Sequence, residues 1–267
     1  MHVRKYVGTM RAELKNMRAY QLDFLGSIIY LPVEMGVVYF LWFVIYSYSG
    51  LMAMGGLSFG DVVVYFLLQR IAGRMIGRGF MVREVGEDIR KGNLSVYLCR
   101  PVDYPTYKLF SVLSYTTVNL LAGVAIFMVV SASLSLWIQL DPLYWAFFIV
   151  SIILGLIIYY SFTLCIGLLA FWTKETGTLL ILADGIGHAF SGSMIPLTMY
   201  PTEIYQVISF FPFRYIYFSP LLMYLGKMNA NECIVEITVQ IMYAALLLIV
   251  SRIILRSGLK RFDAQGG

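Results

Sequence analysis

Two side chains that could do acyl-transfer chemistry, His188 and Ser193, stand in the stretch GHAFSGSM. A serine becomes a nucleophile when a neighbouring imidazole can take its proton through a direct hydrogen bond. Five residues amount to about 140° of rotation at 3.6 residues per turn, so on one continuous helix the two side chains point to different faces. The spacing therefore weighs against an intramembrane serine hydrolase. The small residues Gly185, Gly187, Ala189, Ser191 and Gly192 read instead as a surface for close helix packing, with His188 bonded to a neighbour. Other chemistry lacks its motif. The chain has no G-x-x-x-x-G-K-S/T to cradle nucleotide phosphates, no H-E-x-x-H and no C-x-x-C. Cys99, Cys165 and Cys233 are far apart, and His2 and His188 lack metal-ligand spacing, so no catalytic, cofactor or metal site is expected in this chain.

A second group of residues is notable for where it sits. Glu34 lies about ten residues into the first apolar block, near mid-depth at 1.5 Å per residue. Arg70 is similarly deep in the second block, and Arg74 and Arg78 follow at four-residue intervals as one stripe. Asp184 falls about a turn and a half into the fifth block. Charges at such depth cost several kcal/mol and usually face a bundle interior or a wet cavity. They have two readings. The arginine stripe attracts an anionic cargo or lipid headgroup, with Asp184 and His188 nearby on the path. Alternatively Arg70 pairs internally with Glu34 or Asp184, and Arg78 reaches the interface.

The elements that position these residues follow from composition. The chain is 60% hydrophobic, 16% aromatic and only 13% charged, with mean hydropathy +0.77. A soluble core does not need that much apolar surface. Apolar blocks of about 20 residues, the length a membrane-crossing helix requires, recur along it. They are apolar on all sides, unlike the alternating strands of a barrel. The fold expected is all-α and polytopic, with six spans at roughly 24–48, 60–82, 109–133, 143–172, 178–199 and 233–255. Lysine and arginine concentrate on one set of connecting segments, which puts both termini in the cytoplasm. The net charge of +5 is then mostly a topology signal, and no nucleic-acid-binding face is evident.

Residues 1–22 do not read as a cleavable signal. Val3, Val7, Met10, Leu14 and Met17 make one helical stripe flanked by basic residues. That pattern predicts an amphipathic helix lying on membrane lipid at the inner interface. Residues 23–267 form the six-span unit. Within it, segment 196–227 carries Pro196, Pro201, Pro212 and Pro220, too many for one straight helix. Short re-entrant helices in the outer leaflet would place Pro212, Phe213, Tyr215 and Pro220 in lipid depth; the alternative is an aromatic loop that anchors at the interface.

The largest polar segment is the loop 83–105. Glu84, Glu87, Asp88, Arg90 and Lys91 suit a short exposed helix, with Gly92 as its C-terminal cap. Asn93 is placed to cap a second short helix through LSVYLC, which includes Tyr97. Pro101 and Pro105 then break the chain. A structured, exposed, mixed-charge knob is what docking to a soluble partner requires; the alternative is an ordinary connector.

The stretch IRKGNLSVYLCRPVDYP resembles the cytoplasmic loop of ABC-2-type permeases, the six-span membrane subunits of ABC exporters. Ile89, Arg90, Gly92, Leu94, Ser95, Leu98, Arg100 and Pro101 match the run of one bacterial branch. The ending LKRFDAQGG is similar to that branch's basic–aromatic–x–x–x–Gly–Gly, with Phe262 where tyrosine is common. FFPFRYIYFSPLLMYLG resembles its proline–phenylalanine outer segment. The resemblance implies a coupling helix between spans two and three and re-entrant helices between spans five and six. It implies two separate ATPase subunits that bind ATP and Mg, and a second permease subunit, identical or different, in a bacterial cytoplasmic membrane. The rival reading is a secondary transporter without an ATPase.

Overall fold

The computed structural model describes residues 21–76, 80–100, 102–113, 116, 123, 127–128, 141–173 and 177–262. The expected amphipathic helix ahead of residue 21 and most of the third apolar block lie outside them. Helix α1 (Gln21–Ser49) leads through a short antiparallel hairpin, β1 (Ala53–Met54) and β2 (Leu57–Ser58), into α2 (Phe59–Ile76). Two short helices follow, α3 (Phe80–Arg90) and α4 (Leu94–Leu98), and a further helix, α5, begins at residue 104. Then come α6 (Pro142–Leu168), with a 3-10 turn at Leu169–Phe171, and α7 (Gly177–Phe190). After a broken segment containing α8 (Thr202–Ser209) and α9 (Phe218–Tyr224), the described chain finishes with α10 (Ala230–Leu259).

Two described helical stretches, Pro142–Phe171 and Ala230–Leu259, are 30 residues each and long and apolar enough to cross a membrane. At 1.5 Å per residue each reaches about 45 Å, against a hydrocarbon core of about 30 Å. Their starts are written in local chemistry. Pro142 sits at the first helical position of α6, where no backbone N–H is needed, and Asp141 accepts a hydrogen bond from Leu143 N at 2.8 Å. Asn229 and Glu232 form a reciprocal capping box at the start of α10, at 2.9 and 2.8 Å.

The fifth apolar block differs from expectation. Its helix, α7, has 14 residues rather than a span running to 199. That length is about 21 Å, short of the hydrocarbon thickness. Gly192 ends it by adopting φ +79°, the left-handed region that reverses the chain. The second block is a regular helix as far as it is described, Phe59–Ile76, and α3 is Phe80–Arg90.

Segment 196–227 is four short pieces, as its prolines require. They are 3-10 turns at Leu197–Met199 and Pro212–Tyr215, and helices α8 and α9. Pro201 precedes α8, Pro212 opens its turn and Pro220 lies in the first turn of α9, where a missing N–H costs nothing. The pieces pack back into the helical body. Tyr224 meets Trp145 and Phe148 of α6 edge-on at 5.3 Å, and Phe213 meets Phe162 at 4.9 Å. Gln240, fully buried on α10, donates to Ser151 O at 3.2 Å and Tyr215 O at 3.0 Å, joining α10, α6 and the broken segment. Lys227 pairs with Asp61 of α2 at 2.7 Å, and Tyr65 donates to Gly192 O at 2.7 Å. A large apolar cluster fills this end of the protein, and a smaller one lies under α3, α4 and α5.

Candidate functional site

The polar loop folds into a helical knob, and its apolar positions explain how. Met81, Val82, Val85 and Ile89 recur along one face of α3 and are buried. That face packs on α6, where Gly167 lies against Val82 and Val85. Arg83, Arg90 and Lys91 point outward, and Glu87 pairs with Lys91 at 2.7 Å and Arg83 at 3.4 Å along the surface. The neighbouring cations hold the Glu87 carboxyl below its ordinary range, the Lys91 hydrogen bond most of all. Gly92 closes α3 at φ +73°, the conformation a C-terminal glycine supplies. Asn93 occupies the first cap position of α4, but its side chain makes no capping bond. Its backbone is already helical, which turns the amide away from the helix N–H groups. Ser95 Oγ donates back to Gly92 O at 2.7 Å instead.

The charge on the knob is not all exposed, which corrects the sequence expectation. Glu84 and Asp88 lie one turn apart on α3 and turn inward to Lys108 of α5, whose Nζ is 2.5 Å from Glu84 Oε1 and 2.8 Å from Asp88 Oδ2. Lys108 is wholly buried and Asp88 is nearly so. Tyr104 donates to Asp88 Oδ2 at 2.9 Å. The Lys108 ammonium also sits over the rings of Tyr97 and Tyr104, 5.3 and 5.6 Å from their centroids. Burial alone would push the Lys108 ammonium down; the two carboxylates outweigh it and hold its pKa above the ordinary lysine value. Tyr97 stands edge-on to Tyr104, so it belongs to this cluster. Leu94 is fully buried and Ile89 nearly so, while Val96, Leu98 and Arg100 face outward. Pro101 lies outside the described residues. The whole knob is thus clamped to the start of α5. Asp103 caps α5 through Thr106 N at 3.2 Å and reaches Arg252 of α10 at 3.2 Å.

The deep charges resolve toward pairing. Arg70 meets Glu34 at 3.1 Å, both about four-fifths buried, and Asp184 is not its partner. Arg74 lies on α2, but its side chain is outside the described residues, as is Arg78. Replacing Arg70 by alanine, or Glu34 by glutamine, is expected to lower the melting temperature in detergent by several degrees. The double variant is expected to recover part of that loss, which a thermal double-mutant cycle measures.

His188 and Ser193 do meet, contrary to the helical-wheel argument. His188 Nδ1 lies 3.0 Å from Ser193 Oγ. The wheel assumed a helix running through 193, whereas α7 stops at Phe190 and the Gly192 turn brings Ser193 back. Ser193 Oγ also donates to the His188 carbonyl at 3.2 Å. A hydroxyl has one proton, so Nδ1 then carries the hydrogen it shares with Oγ. An imidazole in that role cannot take the serine's proton, and the pair closes the end of a helix rather than preparing a nucleophile.

Among the residues of 196–227 singled out by sequence, Phe213, Tyr215 and Pro220 are buried and Pro212 partly so. The residue that organises them is one that proline counting passed over. Arg214, nine-tenths buried, donates to Glu236 Oε1 of α10 at 2.7 Å, and Ser219 Oγ donates to Glu236 Oε2 at 2.6 Å. The rings of Tyr205, Tyr215 and Phe218 surround the guanidinium at 5.3 to 5.9 Å. The available signal was a lone arginine in an aromatic stretch and a lone glutamate in the last apolar block.

Compared with known proteins, the chain matches a family model described as ABC-2 family transporter protein over residues 33–266. No curated protein and no solved structure matches it. A helical chain with long apolar spans, a clamped polar knob between its second and third apolar blocks and a match across nearly its full length is a membrane component of a transporter: the protein belongs to the ABC-2 transporter family.

Proposed function

We propose that the chain is the permease subunit of an ATP-driven exporter in a bacterial cytoplasmic membrane. It holds no nucleotide; ATP and Mg belong to two separate ATPase subunits, and a second permease, identical or different, completes the membrane part. In a six-crossing arrangement the fifth crossing is made by the short α7 together with the broken segment that follows it; cytoplasmic termini then put the knob on the ATPase side and the pieces of 196–227 toward the outer side. The observation that supports coupling is the clamp: α3 packs along α6, and Lys108 ties it to α5, so a push on the knob moves α6 and the start of α5 together. The members that face inward, buried Asp88, Ile89 and Leu94 and partly buried Glu84 and Tyr97, transmit that push. The partner would meet the exposed ones, Arg90, Val96, Leu98 and Arg100, of which Val96 and Leu98 are about half exposed although apolar.

Affinity purification of the tagged chain from its native membrane is expected to recover an ATP-hydrolysing partner. Val96→Asp with Leu98→Asp is expected to reduce that recovery at least tenfold while lowering the melting temperature by no more than a few degrees, because each side chain is already about half exposed. Full recovery with the double variant would mean that the knob is a connector only.

A further inference from the structure

One face of α10 changes character along its length. Ser251, Leu255 and Gly258 face inward, and Gly258 sits so close to Phe171 at the end of α6 that a Cβ there would overlap the ring. Another face is exposed. Met242, Leu246, Ile249 and Ile253 follow one another along it at alternating four- and three-residue steps as an apolar stripe. Arg256 and Lys260 continue the same steps and are also exposed. Beside the stripe, Arg252 pairs with Asp103 at the start of α5, at 3.2 Å. Arg261, just past the helix, holds its guanidinium 6.0 Å from the ring centre of exposed Trp172. From Ile237 through Phe262 the sequence contains no aspartate or glutamate.

The stripe from Met242 to Ile253 is about 17 Å long at 1.5 Å per residue. One leaflet is half of a hydrocarbon core of about 30 Å, so the stripe matches the length of lipid acyl chains and its cationic end falls at headgroup depth. Arg256 and Lys260 are one turn, about 6 Å, apart along the axis, and both side chains can reach one phosphodiester. Each basic residue at an anionic lipid surface strengthens the attraction roughly fivefold. Tryptophan favours the same depth. Cations near a helix C-terminus also complement its dipole, but that role requires no continuity with an exposed apolar stripe. We propose that the end of α10 binds one anionic phospholipid. Arg256 and Lys260 meet its headgroup phosphate, Arg261 beside Trp172 is a third cation, and the acyl chains lie along the stripe. The proposal rests on the reading of the chain as a transporter with this end of α10 on the cytoplasmic side, which makes the lipid one of the inner leaflet.

Non-denaturing mass spectrometry of the full chain in uncharged maltoside, titrated with dioleoylphosphatidylglycerol, tests this without any ATPase. One lipid per chain is expected to bind saturably, dioleoylphosphatidylcholine at least tenfold more weakly, and glycerol phosphate not at all. Arg256→Gln with Lys260→Gln is expected to weaken the anionic lipid at least tenfold, whereas Arg256→Lys with Lys260→Arg keeps most of the affinity. Lys260→Gln alone, past the end of the helix, is expected to cost about fivefold and carries the test should the double variant not fold. Arg83→Gln with Lys91→Gln, which removes two exposed cations from the knob, is expected to change nothing. Equal binding of phosphatidylcholine, equal loss in the knob variant, or wild-type affinity in the Arg256 and Lys260 variants would overturn the proposal. So would binding of glycerol phosphate as tight as that of the lipid. A lower lipid-free melting temperature with lipid affinity retained would assign the two cations to the helix end and overturn the site as well. Labelling of a cysteine at Ser257 from outside intact cells would overturn the sidedness of the exporter reading and leave the lipid site standing. Labelling from the inside only, with no preference for the anionic lipid, overturns the site alone.

Discussion

Lys108→Met is expected to destabilise the detergent-solubilised protein by about 3–5 kcal/mol, the usual consequence of removing one partner from a buried ion pair. Among the described residues Lys108 is the one cation paired with both carboxylates, and its removal leaves Glu84 and Asp88 together without it in a pocket walled by Tyr97 and Tyr104. The methionine fills the space, so the effect measures charge rather than cavity. Adding Glu84→Gln and Asp88→Asn to Lys108→Met is expected to return part of the stability, since a neutral cluster carries no unpaired charge. Glu84 Oε2 is buried without a partner, which makes Glu84→Gln the mildest single change of the three. Because the folded protein holds the Lys108 pKa above its unfolded value, the stabilisation is complete below the ordinary lysine range. It is lost only as pH rises beyond that range through the folded value, so Lys108's own titration adds no slope between pH 6 and about 9. Chemical denaturation at several pH values measures this, and a Lys108→Met variant as stable as wild type would mean that the clamp does not hold the knob. The same geometry corrects the expectation for Asp88. Reversing its charge would break the clamp and lower stability, whereas reversing exposed Glu87 would not.

Arg214→Leu is expected to have an effect of similar size at the other end of the molecule. It strands the Glu236 carboxylate on α10, leaving it only the Ser219 hydroxyl, and removes the cation from three aromatic rings. The loss is expected to be about 3–5 kcal/mol, with Glu236→Gln costing less because its one carbonyl oxygen still accepts from Arg214 while its NH2 donates to Ser219 Oγ. Arg214→Lys is expected to recover little. An ammonium lacks the planar fork that reaches Glu236 while stacking within the rings. Thermal melts of the three variants check this, together with aqueous labelling of a cysteine at Phe213. Labelling should increase in Arg214→Leu as segment 212–224 loosens. Wild-type melting of the lysine variant would show that charge alone suffices.

Much of the architecture was legible in the residues because hydropathy is a local property. The blocks at 143–172 and 233–255 appear as helices within a few residues of those bounds, since an apolar run of that length in lipid can satisfy its backbone only within itself. The Gly92 turn and the proline breaks of 196–227 depend on neighbours a few positions apart, and were equally readable. The family followed from short runs in the same way. Pairing was different. Arg70 had two candidate carboxylates in the sequence, and only the packing of α2 against α1 selected Glu34. Glu84 and Asp88 looked like solvated charges because nothing local marks Lys108, twenty or more residues away, as their partner. Arg214 and Glu236 were visible singly and joined only when the broken segment folded onto α10. His188 and Ser193 were separated by a helix that a single left-handed glycine cuts short. In a low-dielectric body each buried charge must find an opposite one. Which one it finds is set by how helices lie against each other, a long-range outcome that no local window of residues contains.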